Sequence, residues 1–416
     1  MSSIMHKLAY LSFFICGAAL SFYKFFLLAA IIDKSEFGLY VLTMSIYVYF
    51  IYVFSFGANE YVLKIGSLVK NSYARQVIRN EALLNGLLGV SLGVALLFPI
   101  SLALSLEYRL VFNSAALLAL VTLPFSIFET YFRTESALLK FSGMMAAKAA
   151  IVVAIISFSS SLSSFQQAVN AELIGSLAIF FIVFVCFIFS GQSMKGIISI
   201  EKIKTIVFQG YSFCISTMLR NGAVVLDKIF ISLYLGSLHL GFYGFVFIIY
   251  QASLLSSSVI MSVVGPNILR FASEDEKKSK LKRNLTIAVI CLFIVLFFSY
   301  PVIYDIYHWL VGVYFEQYND PVTFMIFPLI YFAAVFSFAS SLLDWFFISI
   351  SKERMLALYS LLSLVFLIVG FLLIGNIGLG VAWFAFVFFA GKFIVFMFQM
   401  IYMLKFNDSK CDVCCT

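Results

Sequence analysis

Charged residues inside long apolar stretches carry the chemical signal of this sequence. Arg220, Asp227 and Lys228 fall in the apolar run 208–235, Lys24 in the run 8–32 and Lys392 in the run 377–404. An ionisable group within a bilayer costs about 2.5–3.5 kcal/mol on insertion scales, so it persists mainly where it faces a cavity, a partner or the interface. Arg220 stands about 12 residues, roughly 18 Å of helix, into its run, too deep to reach water easily. Asp227 follows at i+7, two turns on along nearly the same helical face, with Lys228 adjacent. Lys392 is again near the middle of its run. Four cations against one anion leave a positive surplus suited to anionic groups. Arginine offers a bidentate fork for phosphate or carboxylate, and lysine acts as a point charge. The competing arrangement is a set of interhelical ion pairs, Asp227 with Lys24 or Lys228, with lysines snorkelling to an interface.

Acidic residues raise a second possibility. Asp344 lies within the run 322–350 among Leu343, Trp345 and Phe346, where it could exchange a proton, hold a sodium ion or pair with a lysine on a neighbouring helix. Asp227 is a second candidate for coupling or gating. Glu129 is a third, although it stands four residues before Arg133, the spacing of a plain i,i+4 pair. Other chemistries lack their motifs. His6, His239 and His308 are scattered near run ends, and Cys411 and Cys414 make a single CxxC without a second ligand pair. Gly391-Lys392-Phe393 lacks the glycine spacing and hydroxyl of a nucleotide phosphate loop, so ATP is not expected as the direct energy source. The expectation is no resident metal or cofactor beyond a coupling proton or sodium ion.

These residues must be positioned by membrane helices. The 416 residues are 63% hydrophobic and 11% charged, with mean hydropathy +1.06, against about 25% charged in a soluble domain. Such a chain cannot cover a wetted surface, which excludes a soluble enzyme, a nucleic-acid binder and a disordered scaffold. Apolar runs between charged breaks predict twelve spans, near 8–32, 37–58, 82–106, 110–132, 144–163, 168–190, 208–235, 241–264, 284–309, 322–350, 355–374 and 377–404. Lys7 precedes a run without a small-residue cleavage site before Lys24, so the first span is expected to be retained. With the N-terminus inside, 21 basic residues, Arg79 and Lys148 among them, fall in the cytoplasmic connections; only Lys34 and Arg109 lie on the other face. That asymmetry predicts cytoplasmic N- and C-termini.

The chain also repeats. Phe37-Gly38-Leu39-Tyr40, opening the second span, recurs as Leu240-Gly241-Phe242-Tyr243, opening the eighth, at an offset of 203 that also carries Asp227 back to Lys24. Residues 191–207 alternate Ile197, Ile198, Ile200 and Ile203 with Lys195, Glu201, Lys202 and Lys204, as an amphipathic helix on the cytoplasmic surface would. The expected organisation is a six-helix half over 1–190, that linker, and a second six-helix half with a short cytoplasmic tail over 208–416. The fold class is an all-α polytopic membrane protein with two halves around a central cavity, the plan of transporters that rock their halves.

The stretch from Leu226 through Asp227 and Lys228 to Gly236, followed by Gly241-Phe242-Tyr243-Gly244, resembles the polysaccharide-transport branch of the multidrug/oligosaccharidyl-lipid/polysaccharide exporter superfamily, and bacterial O-antigen flippases in particular. The resemblance covers the whole chain in length, span number and topology, and these short stretches in sequence. It implies movement of undecaprenyl-diphosphate-linked oligosaccharide from the cytoplasmic to the outer leaflet of the bacterial inner membrane. Lipid-linked oligosaccharide and membrane lipids are then the expected partners, with a glycan polymerase and chain-length machinery nearby and no nucleic acid. Arg220, Lys24, Lys392 and Lys228 would face the diphosphate and acidic sugars. Two alternatives stand beside this reading. One is a cation-coupled small-molecule exporter of the same superfamily, for which fewer central cations would be expected. The other is a membrane enzyme of glycan assembly, for which a large arginine-bearing outer loop would be expected.

Overall fold

In lipid every backbone amide must be satisfied within its own segment, so long apolar runs fold as helices. The computed structural model describes residues 2–69, 71–135, 137–159, 163–189, 200–272, 278–350 and 352–405. These form thirteen α-helices and no strand among the described residues. In chain order they are α1 (Ser2–Ile31), α2 (Lys34–Phe54), α3 (Ala58–Leu68), α4 (Ser72–Leu102), α5 (Leu106–Thr134), α6 (Leu138–Phe158), α7 (Phe165–Phe189), α8 (Ile200–Leu235), α9 (Ser237–Ala272), α10 (Lys278–Tyr314), α11 (Pro321–Ser349), α12 (Glu353–Ile377) and α13 (Val381–Lys405). Each of the twelve expected spans has its helix. Among the described residues eleven helices are long and apolar enough to cross a membrane; the exception among the twelve is α8, whose stretch 218–235 carries Arg220, Asp227 and Lys228.

The structure corrects the sequence reading in three places. The connection after the second span holds a further helix, the 11-residue α3, set off by Phe56 (φ 50°) and Gly57 (φ 78°). Lys148, counted with the cytoplasmic connections although it stands four residues inside the expected span 144–163, is the central residue of the 21-residue α6, which starts six residues earlier than that span. Arg79, also assigned to a connection, is fully buried on α4, its guanidinium 4.5 Å from the Tyr131 ring centroid. Of the amphipathic linker, residues 191–199 lie outside the described residues; 200–207 are the opening turns of α8 itself. The Cys411–Cys414 tail also lies outside them.

The chain divides into two compact units, Met1–Asn221 and Gly222–Thr416, the division falling within α8. Without a hydrophobic drive between helices in lipid, association rests on close van der Waals packing at small residues and on polar ties. In the first unit α1 lies against α6 so closely that a Cβ at Gly17 would stand 3.0 Å from backbone atoms of Ala146, and α7 meets α6 where Gly175 faces Val152. A core of Ala82, Leu123, Ile127 and Tyr131 joins α4 to α5. In the second unit α11 packs against both α9 and α13, over a core that includes Leu343, Phe346, Phe347, Phe396 and Met403.

Candidate functional site

In the first unit the central feature is a carboxylate that the sequence reading passed over. Glu172, on α7, forms an ion pair through Oε1 with Lys24 of α1, and the Tyr40 hydroxyl on α2 donates to the same oxygen at 2.9 Å. All three side chains are buried. Local structure places them at one depth. Glu36 in the first turn of α2 accepts the Phe165 backbone N–H at 2.7 Å, tying the start of α2 to the start of α7. Tyr40 then lies six residues into α2 and Glu172 seven into α7, about 9–10 Å from their helix starts. Gly17 and Lys24, seven apart, share a stripe of α1, so the Gly17–Ala146 approach that packs α1 on α6 also aims Lys24 inward.

Lys148 joins this group from α6. Its ammonium lies 4.7 Å from the Phe125 ring centroid and within electrostatic reach of Glu172, Lys24 and Glu129. Glu129 makes the expected i,i+4 pair, accepting from Arg133 Nη2 at 2.8 Å.

Arg220 lies at the break between α2 and α3, near Tyr52, which is also within electrostatic reach of Glu129 and Arg133. Its exposed side chain is within electrostatic reach of Tyr52 and of Glu60, a buried residue in the first turn of α3. Arg220 and Asp227 share a helical stripe, but not an environment, since Asp227 and Lys228 are fully enclosed.

In the second unit Asp227, Lys228 and Tyr243 form a matching group. Gly236 (φ 86°) makes the tight turn that returns α9 alongside α8, a conformation that glycine adopts without a Cβ penalty. The Tyr243 hydroxyl donates to Asp227 Oδ2 at 2.5 Å, and Lys228 Nζ lies 3.2 Å from Asp227 Oδ1 while donating to the Val224 carbonyl at 2.6 Å. The Lys228 ammonium also caps the Phe247 ring at 3.4 Å. Lys392, buried on α13, lies 5.1 Å from the Phe388 centroid and 5.9 Å from that of Tyr250. Asp344 accepts from Gln399 Nε2 at 2.8 Å, five residues before the end of α11 and so nearer a helix end than its middle.

Of the pairings read from the sequence, Asp227 takes Lys228, while Lys24 takes Glu172. Lys24 is therefore neutralised locally, and the buried positive surplus is smaller than the sequence count implied. Lysines seated against aromatic rings, and carboxylates gripped by tyrosines, can receive anionic groups and exchange small cations.

Long apolar helices, with no strand among the described residues, make this a multi-pass membrane protein. The chain belongs to the polysaccharide biosynthesis protein family, whose profile matches residues 7–272. Its fold is similar to an inward-facing multidrug resistance MATE family transporter of the MOP superfamily, at 12% identity and TM-score 0.67, covering 95% of this chain and 97% of that one. It is equally similar to the lipid II flippase MurJ in an inward closed conformation, at 13% identity and TM-score 0.67, covering 96% and 88%. An outward-facing MATE transporter of the MOP superfamily matches at 11% identity and TM-score 0.63, covering 95% and 94%. No curated protein matches the sequence.

Proposed function

We propose that the chain is a flippase carrying undecaprenyl-diphosphate-linked oligosaccharide, an O-antigen or similar surface-glycan repeat unit, from the cytoplasmic to the periplasmic leaflet of a bacterial inner membrane by alternating access. The observation that carries this reading is the set of buried lysines in a polysaccharide biosynthesis family member: Lys24, Lys228 and Lys392 are all buried on long helices. Retaining such cations costs insertion energy, which Glu172 offsets at Lys24 and Asp227 at Lys228, and an anionic cargo adds a further counter-charge. Arg220, the exposed cation, and Lys24 are the residues assigned to the cargo's anionic groups in the first unit, and Lys228 and Lys392 those in the second. Both termini are cytoplasmic in this account. Residues 1–190 and 208–416 act as the two halves joined by 191–207, and a glycan polymerase with its chain-length machinery works downstream.

The cell test uses Arg220→Ala. Surface glycan disappears while the amount of protein in the membrane stays normal, and Arg220→Lys restores only part, because the bidentate fork is lost. Full export by Arg220→Ala would remove Arg220 from the site. Coupling to a proton or sodium gradient is assigned to Asp227 and Asp344, with Glu129, already held by Arg133, in third place. Collapse of the gradient then slows wild-type translocation, and Asp344→Asn loses that sensitivity. Buried carboxylates also suit a cation-coupled small-molecule exporter; export of cationic dyes with intact surface glycan in a deletion strain would favour that reading. A glycan polymerase or ligase would instead make or break glycosidic bonds when purified.

A further inference from the structure

The internal repeat holds one element in two shapes. Carried forward by the offset of 203, Lys34 and Leu68, which bound the pair α2 and α3, fall at Ser237 and Phe271, and α9 runs unbroken from Ser237 to Ala272. The first copy is two helices and the second is one. Ser55, Phe56 and Gly57, where the first copy breaks, correspond to Ser258, Val259 and Ile260 within α9. A β-branched residue disfavours the left-handed backbone that Gly57 adopts at φ 78°, so the second copy lacks the means to break there in the same way.

The break is costly in three respects. Phe56 holds φ 50°, the one positive φ at a non-glycine position among the described residues, and a bulky side chain is strained there. The Ala58 N–H, which in a continuous helix would reach the Phe54 carbonyl, donates instead to the Ser55 carbonyl at 3.0 Å. Asn85 on α4 is 5% exposed, yet neither its Nδ2 nor its Oδ1 has a hydrogen-bond partner among the described residues, and the buried Oδ1 of Asn59 on α3 has none either. Amide groups enclosed in this way bear their full desolvation cost. Both asparagines stand at the break. A Cβ at Gly93 of α4 would overlap the Phe54 ring, one at Gly89 would overlap the Phe54 carbonyl oxygen, and Gly86 faces Ala58. Asn85, one turn from Gly89 on the same face of α4, is therefore level with Ala58 and Asn59.

We infer that the α2–α3 break is a conformational switch, exchanging between the broken form and one continuous helix like α9, with the strain at Phe56 and the unpartnered Asn85 amide keeping the two forms close in free energy. Straightening returns the Ala58 N–H to Phe54, relaxes Phe56 to a helical φ and lifts α3 off α4 and α5, so that Asn85 and Asn59 meet water. The broken form is held by Asn59 Nδ2 donating to Ser126 Oγ of α5 at 3.2 Å, by Gly66 packed on Thr134, and by Phe54 in its glycine notch. Glu60, buried in the first turn of α3, travels with it. The switch concerns the shape of the first unit and holds whatever the chain carries.

The test measures spin–spin distances in the full chain in phosphatidylcholine nanodiscs, with spin-labelled amino acids at Val48 of α2 and Leu63 of α3. In a continuous helix these positions are about 22 Å apart at the helical rise, and the break brings them closer. Gly57→Ala, which penalises the left-handed turn, raises the longer population relative to the shorter about fivefold or more. Phe56→Gly, which removes the strain, lowers that ratio by a similar factor, and Asn85→Leu, which removes the unpartnered amide, lowers it too. Neighbouring substitutions with opposite effects are not what general destabilisation produces. The shorter distance alone in both the wild type and Gly57→Ala overturns the inference. So does a broad distribution in Gly57→Ala in place of a narrow peak at the helical value, which means that α3 has unravelled. Should Gly57→Ala fail to fold, Phe56→Gly and Asn85→Leu decide: a ratio equal to that of the wild type in both refutes the switch.

Discussion

The two units use the same tyrosine in the same register for different mechanical ends. Tyr40 and Tyr243 stand 203 residues apart, each six residues into its helix, and each donates to a buried carboxylate that is paired with a lysine. In the first unit lysine, carboxylate and tyrosine come from α1, α7 and α2, so one ion pair ties together helices far apart in sequence. In the second unit lysine and carboxylate are neighbours on α8, and only Tyr243 reaches across from α9. The first arrangement converts a change of charge into a change of helix packing. The second confines it to one hairpin. A repeat can therefore keep its polar chemistry while giving one copy the role of a tie and the other that of a local charge site.

The comparison breaks most visibly if the ion pairs are cut. Lys24→Met removes the ion-pair partner of Glu172, leaving it the Tyr40 hydroxyl and the nearby Lys148, and costs about 3–5 kcal/mol, read as a lowered Tm; adding Glu172→Leu recovers most of it. Lys228→Met costs less, about 2 kcal/mol, since Asp227 keeps both the Tyr243 hydroxyl and the Lys228 backbone N–H. Equal losses in the two units would mean that α1, α2 and α7 are not held by their ion pair. A finer test uses Tyr40→Phe and Tyr243→Phe, each removing one hydrogen bond to an ionised group at about 1.5–3 kcal/mol. Their effects are alike in stability, yet only Tyr40→Phe should increase cross-linking variability between α1 and α7 cysteine pairs. The smallest effect belongs to Gly17→Ala, about 1–3 kcal/mol, because its Cβ presses on the Ala146 backbone and pushes Lys24 from Glu172. Restoration by nothing less than relaxing α6 distinguishes it from a surface change.

Much of this was legible in the sequence, and the gaps have physical causes. Twelve apolar runs became twelve helices because lipid leaves the backbone no other choice. α3 escaped because 11 residues bearing Glu60 and Lys64, bounded by Gly57, look like a loop when only span-length runs are sought. Glu172 was passed over although it stands four residues inside the expected span 168–190, close to Gln166, Gln167 and Asn170; α7 begins ahead of all of them at Phe165. Lys148 was counted as a connection residue because it lies near the start of the expected span 144–163; with α6 beginning six residues earlier it stands at the helix centre. The repeat held the missing clue. The offset that carried Asp227 back to Lys24 also carries Tyr243 back to Tyr40, and a tyrosine set over a charge in both copies marks a hydrogen-bonded group rather than packing.

The central claim is that this chain moves an anionic lipid-linked glycan across a bilayer. The direct measurement places purified protein in vesicles holding fluorescent undecaprenyl-diphosphate oligosaccharide in the inner leaflet and follows the appearance of label at the outer surface with a membrane-impermeant quencher. The account predicts that the wild type speeds quenching well above protein-free vesicles, and that Arg220→Ala returns it to the protein-free rate. Quenching at the protein-free rate with the wild type, while the same vesicles transport a cationic dye, would contradict it.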